Sequence, residues 1–266
     1  MDFFKKLFGS KLAEPAAAPA PDEPPMSPTE AANQAAREAG CARLDRHWQS
    51  VGEVEQDVLG YMISPSLMGG PHWPSTRQAY RVVHRAGGIV LATDGMSDPF
   101  DDVDGGGNGF ELELFIESPD FSEPLRGARG DVSPFMRTWA FDVLRTVAAT
   151  VADAGGIGPQ LERYGVLSLE LPGVSQSPCM GEEIPAHFIS ADDAVGVLVG
   201  GPAPDFATRL DDMPLSPVAL VPVVLITAAE LDYVRSGGGQ ARMDLVQRLQ
   251  EAGHGHVSRL GRESVV

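Results

Sequence analysis

The run Val218 to Thr227, VALVPVVLIT, constrains this chain more than any other stretch. It is almost wholly apolar, yet it falls far short of the roughly 18 residues that a membrane-spanning helix needs, and no other apolar run in the chain reaches that length. A short apolar run between turn signals reads as a strand buried on both faces. Pro222 has no N–H to give to a ladder, so a bulge or an edge position is expected there. Thr227 then opens TAAELDY, a capping-box pattern with Glu230 at the third helical position. A last helix is expected from about Gln240 to Ala252.

Upstream of this run the periodicities segregate. After Pro28 and Thr29, the latter the expected N-cap, an Ala-, Glu- and Arg-rich helix is expected through about Val51. Short strands are expected at Val58 to Ile63, Ala79 to His84 and Gly88 to Thr93, the last two joined as a hairpin around Ala86-Gly87-Gly88. In GFELELFIE, Gly109 to Glu117, the apolar Phe110, Leu112, Leu114 and Ile116 alternate against Glu111, Glu113, Phe115 and Glu117. This pattern predicts an antiparallel, half-exposed strand with the Glu side wetted. The best amphipathic helix lies between Asp131 and Ala154, and further strands are expected at Gly165 to Leu171, Ala186 to Ser190 and Val195 to Val199. Strands and helices that segregate rather than alternate give an α+β fold, a mixed and mainly antiparallel sheet packed with helices in a single domain.

Three divisions follow. Residues 1–28 form a disordered N-terminal arm by composition. Phe3, Phe4, Leu7 and Phe8 fall at helical spacing with Lys5, Lys6 and Lys11 off the stripe, which suits a hook for a membrane surface or a partner groove, and a Pro/Ala linker follows. Residues 29–253 form the folded domain, and 254–266 a polar C-terminal tail. Cys41 and Cys179 match no C-x-x-C pattern and are read as free thiols in a reducing cytoplasm.

Enzyme chemistry finds little purchase. Aligned as an EF-hand loop with Gly105 at the sixth position, LATDGMSDPFDD and its sequel put Phe100, which cannot ligate, at the first. His254 and His256 have no Cys nearby, and His47, His72, His84 and His187 are scattered. There is no G-x-S-x-G around Ser97, Cys179 lacks basic neighbours, and GGGNG at Gly105 to Gly109 lacks the lysine of a phosphate loop. No catalytic residue, metal or cofactor is assigned. The alternative to be kept is a divalent-cation-dependent hydrolase using the carboxylates between Asp94 and Asp104.

Charge points elsewhere. With 37 acids against 20 bases the net charge is -17, which argues against nucleic acid as a partner and favours a basic protein. From Asp94 to Glu123 there are ten acidic residues and no basic one. A negative surface for a protein partner is therefore expected at Asp98, Asp101, Asp102, Asp104, Glu111 and Glu113.

The order of these motifs also resembles a known family. DGMSDPFDD, a Gly-rich gap and GFELELFIE, with HWP at His72 to Pro74 upstream, the helix that begins WAFDVLRTV at Trp139, and LVPVVLITAAELDYVRSGG near the end, are similar to the suppressor-of-fused domain family over roughly Val51 to Ala252. Asp94, Gly95, Ser97, Gly109, Phe110 and Trp139 carry the structural part of the likeness. The resemblance implies the N-terminal domain of that family in a bacterial stand-alone form: a non-catalytic protein-binding domain, of a kind proposed as immunity proteins that neutralise a toxin by stoichiometric binding.

Overall fold

The computed structural model describes residues 26–101, 103, 106–127 and 129–266. The Phe3 to Phe8 stripe, most of the linker, and Asp102 and Asp104 lie outside the described residues.

Helix α1 (Pro28–Val51) is capped by Ser27, not Thr29. The Ser27 hydroxyl accepts from the Glu30 amide at 3.2 Å while the Glu30 carboxylate accepts from the Ser27 amide at 2.6 Å, a reciprocal box with Pro28 preset in the first turn. Strands β1 (Glu53–Val54) and β2 (Leu59–Gly60) are brief, and both pair with β3 (Ala79–Arg85). The hairpin of β3 and β4 (Gly88–Asp94) turns on Ala86-Gly87 with Arg85 opposite Gly88, as its turn signal predicts. Then come β5 (Leu112–Ser118), the short α2 (Glu123–Gly127) and α3 (Trp139–Asp153). The expected helix from Asp131 starts late because Ser133–Arg137 forms a 3-10 turn and Thr138 caps α3 through the Phe141 amide at 3.3 Å.

The second half holds α4 (Gly158–Tyr164), β6 (Leu167–Pro172), α5 (Pro178–Glu183), β7 (Ala194–Val199), β8 (Arg209–Leu210), β9 (Val218–Ile226) and α6 (Ala228–Glu251). Ala186–Phe188 is a 3-10 turn after Pro185 and not the expected strand. Thr227 and Glu230 close the predicted capping box, and Gly238 (φ 57°, ψ -136°) breaks α6 within Gly237-Gly238-Gly239, which separates the two helices read from the sequence.

Among the described residues the nine strands form one mixed sheet in the order β1-β3-β4-β5-β9-β7-β6, with β2 added to β3 and β8 to β9. Of these strand pairs only β5 and β9 run parallel, and the others are antiparallel. Both faces are covered. Val82, Leu91, Leu114, Val197 and Val223 pack with Trp139, Leu144 and Val147 of α3 on one side. On the other, Val83, Val90, Phe115 and Leu220 meet Leu44 and Trp48 of α1, while Leu198, Val224 and Ile226 meet Leu231 and Leu245 of α6. This explains Pro222. The first part of β9 pairs with β5 and β8, the later part with β7, and Pro222 sits at the exchange, where its missing N–H costs no ladder bond.

Two expectations are overturned by this layering. The alternation in β5 is real, but its Glu side faces α1 and not water, so all of Leu112–Ser118 is buried. The C-terminal residues are also no peripheral tail. Ser258 enters where β5 and β9 diverge, giving its amide to the Glu117 carbonyl at 2.8 Å and accepting the Leu225 amide at 3.0 Å. Arg262, 5% exposed, forms a two-bond fork on Glu230 at 2.6 and 2.5 Å and also reaches the Leu225 carbonyl at 3.2 Å. Removing one partner of a buried ion pair leaves an uncompensated charge and costs about 3–5 kcal/mol. Arg262→Met is therefore expected to lower Tm by roughly 10 °C, and Arg262→Met with Glu230→Met to recover part of that loss. A calorimetric scan that leaves the single variant unchanged excludes this role.

Candidate functional site

The acidic loop leaves β4 at Asp94, and its carboxylates turn inward. Asp94, 1% exposed, pairs with Arg77 at 2.8 Å and with Arg81 at 2.9 Å. Asp98 takes a fork from Arg77, Nε at 2.9 Å and Nη2 at 2.6 Å, together with the Ser75 hydroxyl at 2.8 Å, and Arg37 approaches at 3.7 Å. One guanidinium thus spans both aspartates, in the bidentate geometry that a planar fork favours. Burial works against the Arg77 charge, but the bond to Asp98 and the two carboxylates hold its pKa above the ordinary arginine value.

Glu113 closes the loop from the other side. It is fully buried and accepts the Thr93 hydroxyl at 2.6 Å, the Gly95 amide at 3.1 Å, and the Ser97 amide and hydroxyl at 2.9 and 2.6 Å. The Met96 carbonyl accepts the Phe110 amide at 2.8 Å. The two glycines of the motif have steric reasons to be glycine. Gly95 (φ 139°) and Gly109 (φ 54°) lie in the region that favours glycine, and a Cβ at either would stand 2.4 Å from a backbone oxygen, that of Arg77 or of Asp98. Trp139 is buried at the start of α3, where its backbone amide donates to the Glu183 carboxylate at 3.4 Å.

The expected partner surface therefore needs correction. Asp98 and Glu113 are internal ligands of the fold and cannot face a partner. Asp101 and Glu111 are at the surface, Asp101 paired with Arg37 at 2.9 Å. The stretch with ten acidic residues from Asp94 to Glu123 also acquires cations from distant parts of the chain. Glu117 receives Arg85 at 2.6 Å and His256 at 2.8 Å, and the Asp120 carboxylate accepts the Leu260 amide at 2.6 Å. Its field is spent largely inside the protein.

The same contacts bear on catalysis. The oxygens of Asp94 and Asp98 are held by guanidinium groups, and among the described residues no group of three or more His, Cys, Asp or Glu is placed to hold a metal ion. His84 bonds Glu55 at 2.8 Å and His187 the Arg262 carbonyl at 3.0 Å, while His47 packs against Trp48 and Phe206. Burial pushes the Cys41 thiol up to about 11 and also raises that of Cys179, the opposite of an activated nucleophile.

The acidic loop instead supports a wall. Ser75 bonds Asp98, and the Asp101 amide bonds the Pro74 carbonyl at 3.0 Å, which fixes the HWP segment and its Trp73. Trp73 stacks edge-on against Tyr80, and Tyr80 against Phe141, with centroids 5.7 and 4.8 Å apart. These rings back a cleft of about 280 Å³ lined by Tyr61, Pro71, Trp73, Tyr80, Arg145 and Ala149. Beside it the segment from β2 to a 3-10 turn (Pro65–Met68) exposes Met62 (105%), Ile63 (62%), Leu67 (70%) and Met68 (78%). Gly69 in the left-handed region and the Gly70 amide on the Pro65 carbonyl at 2.8 Å close that turn. Sequence reading missed this face because the strand expected over Val58 to Ile63 stops at Gly60, and SPSLMGG beyond it follows neither the strand nor the helix period. Its signal was the number of large apolar residues between turn formers.

No family model matches the chain, and no curated protein matches it in sequence. Among solved structures it is similar to a chain of the Sufu-Fu complex crystal structure, with a TM-score of 0.52 and 13% identity, over 86% of this chain and 92% of that one. The fold is Sufu-like. At that identity the likeness establishes architecture, and the motif resemblance agrees with it at that level. Among the described residues, no helix of this Sufu-like domain is long and apolar enough to cross a membrane.

The buried acids set a pH dependence. Burial disfavours ionised Glu117, but the bonds from His256 and Arg85 outweigh it and hold its carboxyl below its ordinary value of 4.5. A depressed pKa contributes stability that is present above the unfolded value and lost as pH falls through the folded one. The Tm difference between wild type and Glu117→Gln is thus expected to be full above about pH 5.5 and to shrink steadily below 4.5. A difference that stays constant from pH 7 to 3 contradicts the assignment.

Proposed function

We propose that this chain is a non-catalytic protein-binding domain, Sufu-like in fold and of immunity type, that neutralises one partner by stoichiometric capture in a reducing cytoplasm. The observation that carries the reading is the exposed Met62, Ile63, Leu67 and Met68 face beside the Tyr61–Trp73 cleft. Contiguous exposed apolar surface marks contact sites, and methionine suits them because its unbranched chain adapts to the shape it meets. The cleft accepts one large apolar side chain as an anchor, which is how protein interfaces concentrate their affinity. The Sufu-like fold, known from a chain solved in a protein complex, supports binding as the activity.

Charge enters as a secondary term. The net charge of -17 favours a basic partner, and Asp101 and Glu111 are positioned at the surface to contribute to its attraction. Asp102 and Asp104 belong to the same proposal on sequence grounds. Such rim charges act on association rate more than on the lifetime of the complex.

The test is calorimetric titration with the partner, once affinity capture and mass spectrometry have identified it. Met62→Ser with Met68→Ser is expected to weaken binding about tenfold or more at 1:1 stoichiometry, mainly by faster dissociation. Asp101→Lys with Glu111→Lys is expected to slow association severalfold, an effect that fades in high salt. If the methionine variant binds like wild type, the face is not the site. If the purified chain turns over a substrate of its partner, capture is not the function.

A further inference from the structure

The cleft beside the Met62–Met68 face has a hydrogen-bonding character of its own. Its aromatic walls carry three donors, the Trp73 indole N–H and the hydroxyls of Tyr61 and Tyr80. None of the three makes a hydrogen bond among the described residues, and none is sealed from solvent. The rings themselves lie deep, with Trp73 6% and Tyr80 2% exposed. Indole and phenol groups at that depth ordinarily find a partner within the fold.

The surroundings keep these donors available. The Cε3 edge of Trp73 faces Gly95, where a Cβ would stand 3.3 Å from it, and the N–H lies on the opposite side of the indole. Burial raises the pKa of both phenols, so each keeps its proton and remains a donor. Arg145 adds an exposed guanidinium, with one nitrogen on Asp142 at 3.3 Å. Against these donors stands the Gln78 amide oxygen, its nitrogen being spent on the Pro71 carbonyl at 2.7 Å.

The slot is also preformed. The Trp73 and Tyr80 rings are inclined at 64°. The rim residues Pro71 and Pro65 are held through their carbonyls, by Gln78 and by the Gly70 amide at 2.8 Å. At about 280 Å³ the cleft falls just below the roughly 300–1,000 Å³ of small-molecule sites. With an exposed apolar face beside it, it suits a short stretch of chain better than a cofactor.

An apolar slot rich in donors selects an apolar ligand that offers acceptors and few donors. A helix arrives with its carbonyls already bonded internally, and a strand brings an N–H for nearly every C=O. A proline-rich segment brings carbonyls without N–H groups, in a polyproline II helix that leaves them all free. Such segments dock in aromatic-lined grooves, and their fixed backbone gives up little freedom on binding.

We propose that the Tyr61–Trp73 cleft binds a proline-rich segment in polyproline II form, its prolyl rings against Tyr61, Trp73 and Tyr80 and its carbonyl oxygens accepting from the indole and phenol donors. On the reading of this face as the partner site, which this assignment rests on for its biological ligand, the segment belongs to the partner. Prolyl rings then fill together the slot described above for one large apolar anchor.

Decaproline titrated into the isotope-labelled full chain tests this, with the tryptophan indole N–H signals followed by NMR. The chain has three tryptophans, Trp48, Trp73 and Trp139, and only Trp73 lines the cleft. Its signal, identified by its loss in Trp73→Phe, is expected to shift saturably while those of the fully buried Trp48 and Trp139 stay in place. Tyr61→Phe with Tyr80→Phe keeps the rings and removes two hydroxyls that bond no described residue. That variant is expected to keep its Tm and to bind decaproline about fivefold or more weakly, the scale of one net hydrogen bond. No shift of the Trp73 signal at the solubility limit of decaproline overturns the proposal. So does a tyrosine variant that binds like wild type, which reduces the cleft to apolar packing. A helical peptide of leucine, alanine and lysine that shifts the signal at lower concentration than decaproline assigns the cleft to a helix instead. Competition separates the ligand class from the partner site, since decaproline is expected to displace the identified partner. If it shifts Trp73 and leaves the partner bound, the proline site stands and the partner-site reading fails. If Met62→Ser with Met68→Ser loses the partner while decaproline does not bind wild type, the face stands and the proline site fails.

Discussion

One guanidinium organises the part of this molecule that its sequence makes most conspicuous. Arg77 grips Asp98 with two bonds and Asp94 with a third contact, and so holds the end of β4 and the following loop in one arrangement. Arg81 and Arg37 complete the set, the first from β3 and the second from α1. The buried Asp94 and Asp98 are tolerated because each is paired, and the pairing in turn fixes where α1, the hairpin and the loop can lie. Ser75, Pro74 and Trp73 take their places from the same network, so the wall of the cleft is a consequence of the acidic loop and not a neighbour of it.

This changes the meaning of the acidic block. A run of ten acids without a base reads as a surface field when distance along the chain is the only measure available. Folding brings Arg37, Arg77, Arg81, Arg85 and His256 to it from both directions along the chain, and much of the charge is consumed in holding layers together. What remains at the surface is an apolar face of Met62, Ile63, Leu67 and Met68. The capture proposed for it would draw on buried area and an anchoring side chain, with charge setting approach and selectivity.

The short-range features were legible in the sequence. The hairpin around Ala86-Gly87, the capping box at Thr227 and Glu230, the break at the glycines before Gln240 and the burial of Val218–Ile226 each depend on a few neighbouring residues, and each is present. The misreadings share a different cause. Ser27 displaced Thr29 as the cap because Pro28 is itself the first helical residue. Pro185 tightened the turn that was read as a strand, and the strand read over Val58 to Ile63 stops at Gly60.

By itself the sequence determined the α+β class, the longer strands and helices, and the glycine positions of the loop, because periodicity, capping and φ preferences act over a turn or less. Only the tertiary structure decided which face of β5 meets water. The alternation of Glu113, Phe115 and Glu117 is the same whether α1 covers them or not, and the residues that satisfy Glu117 stand at Arg85 and His256. It likewise decided that Arg262, in what reads as a polar tail, is a buried partner of Glu230. The physical reason is one of range: a local pattern says that a side has a given polarity, while the group that compensates a buried charge can come from anywhere along the chain and is known only once the layers have closed.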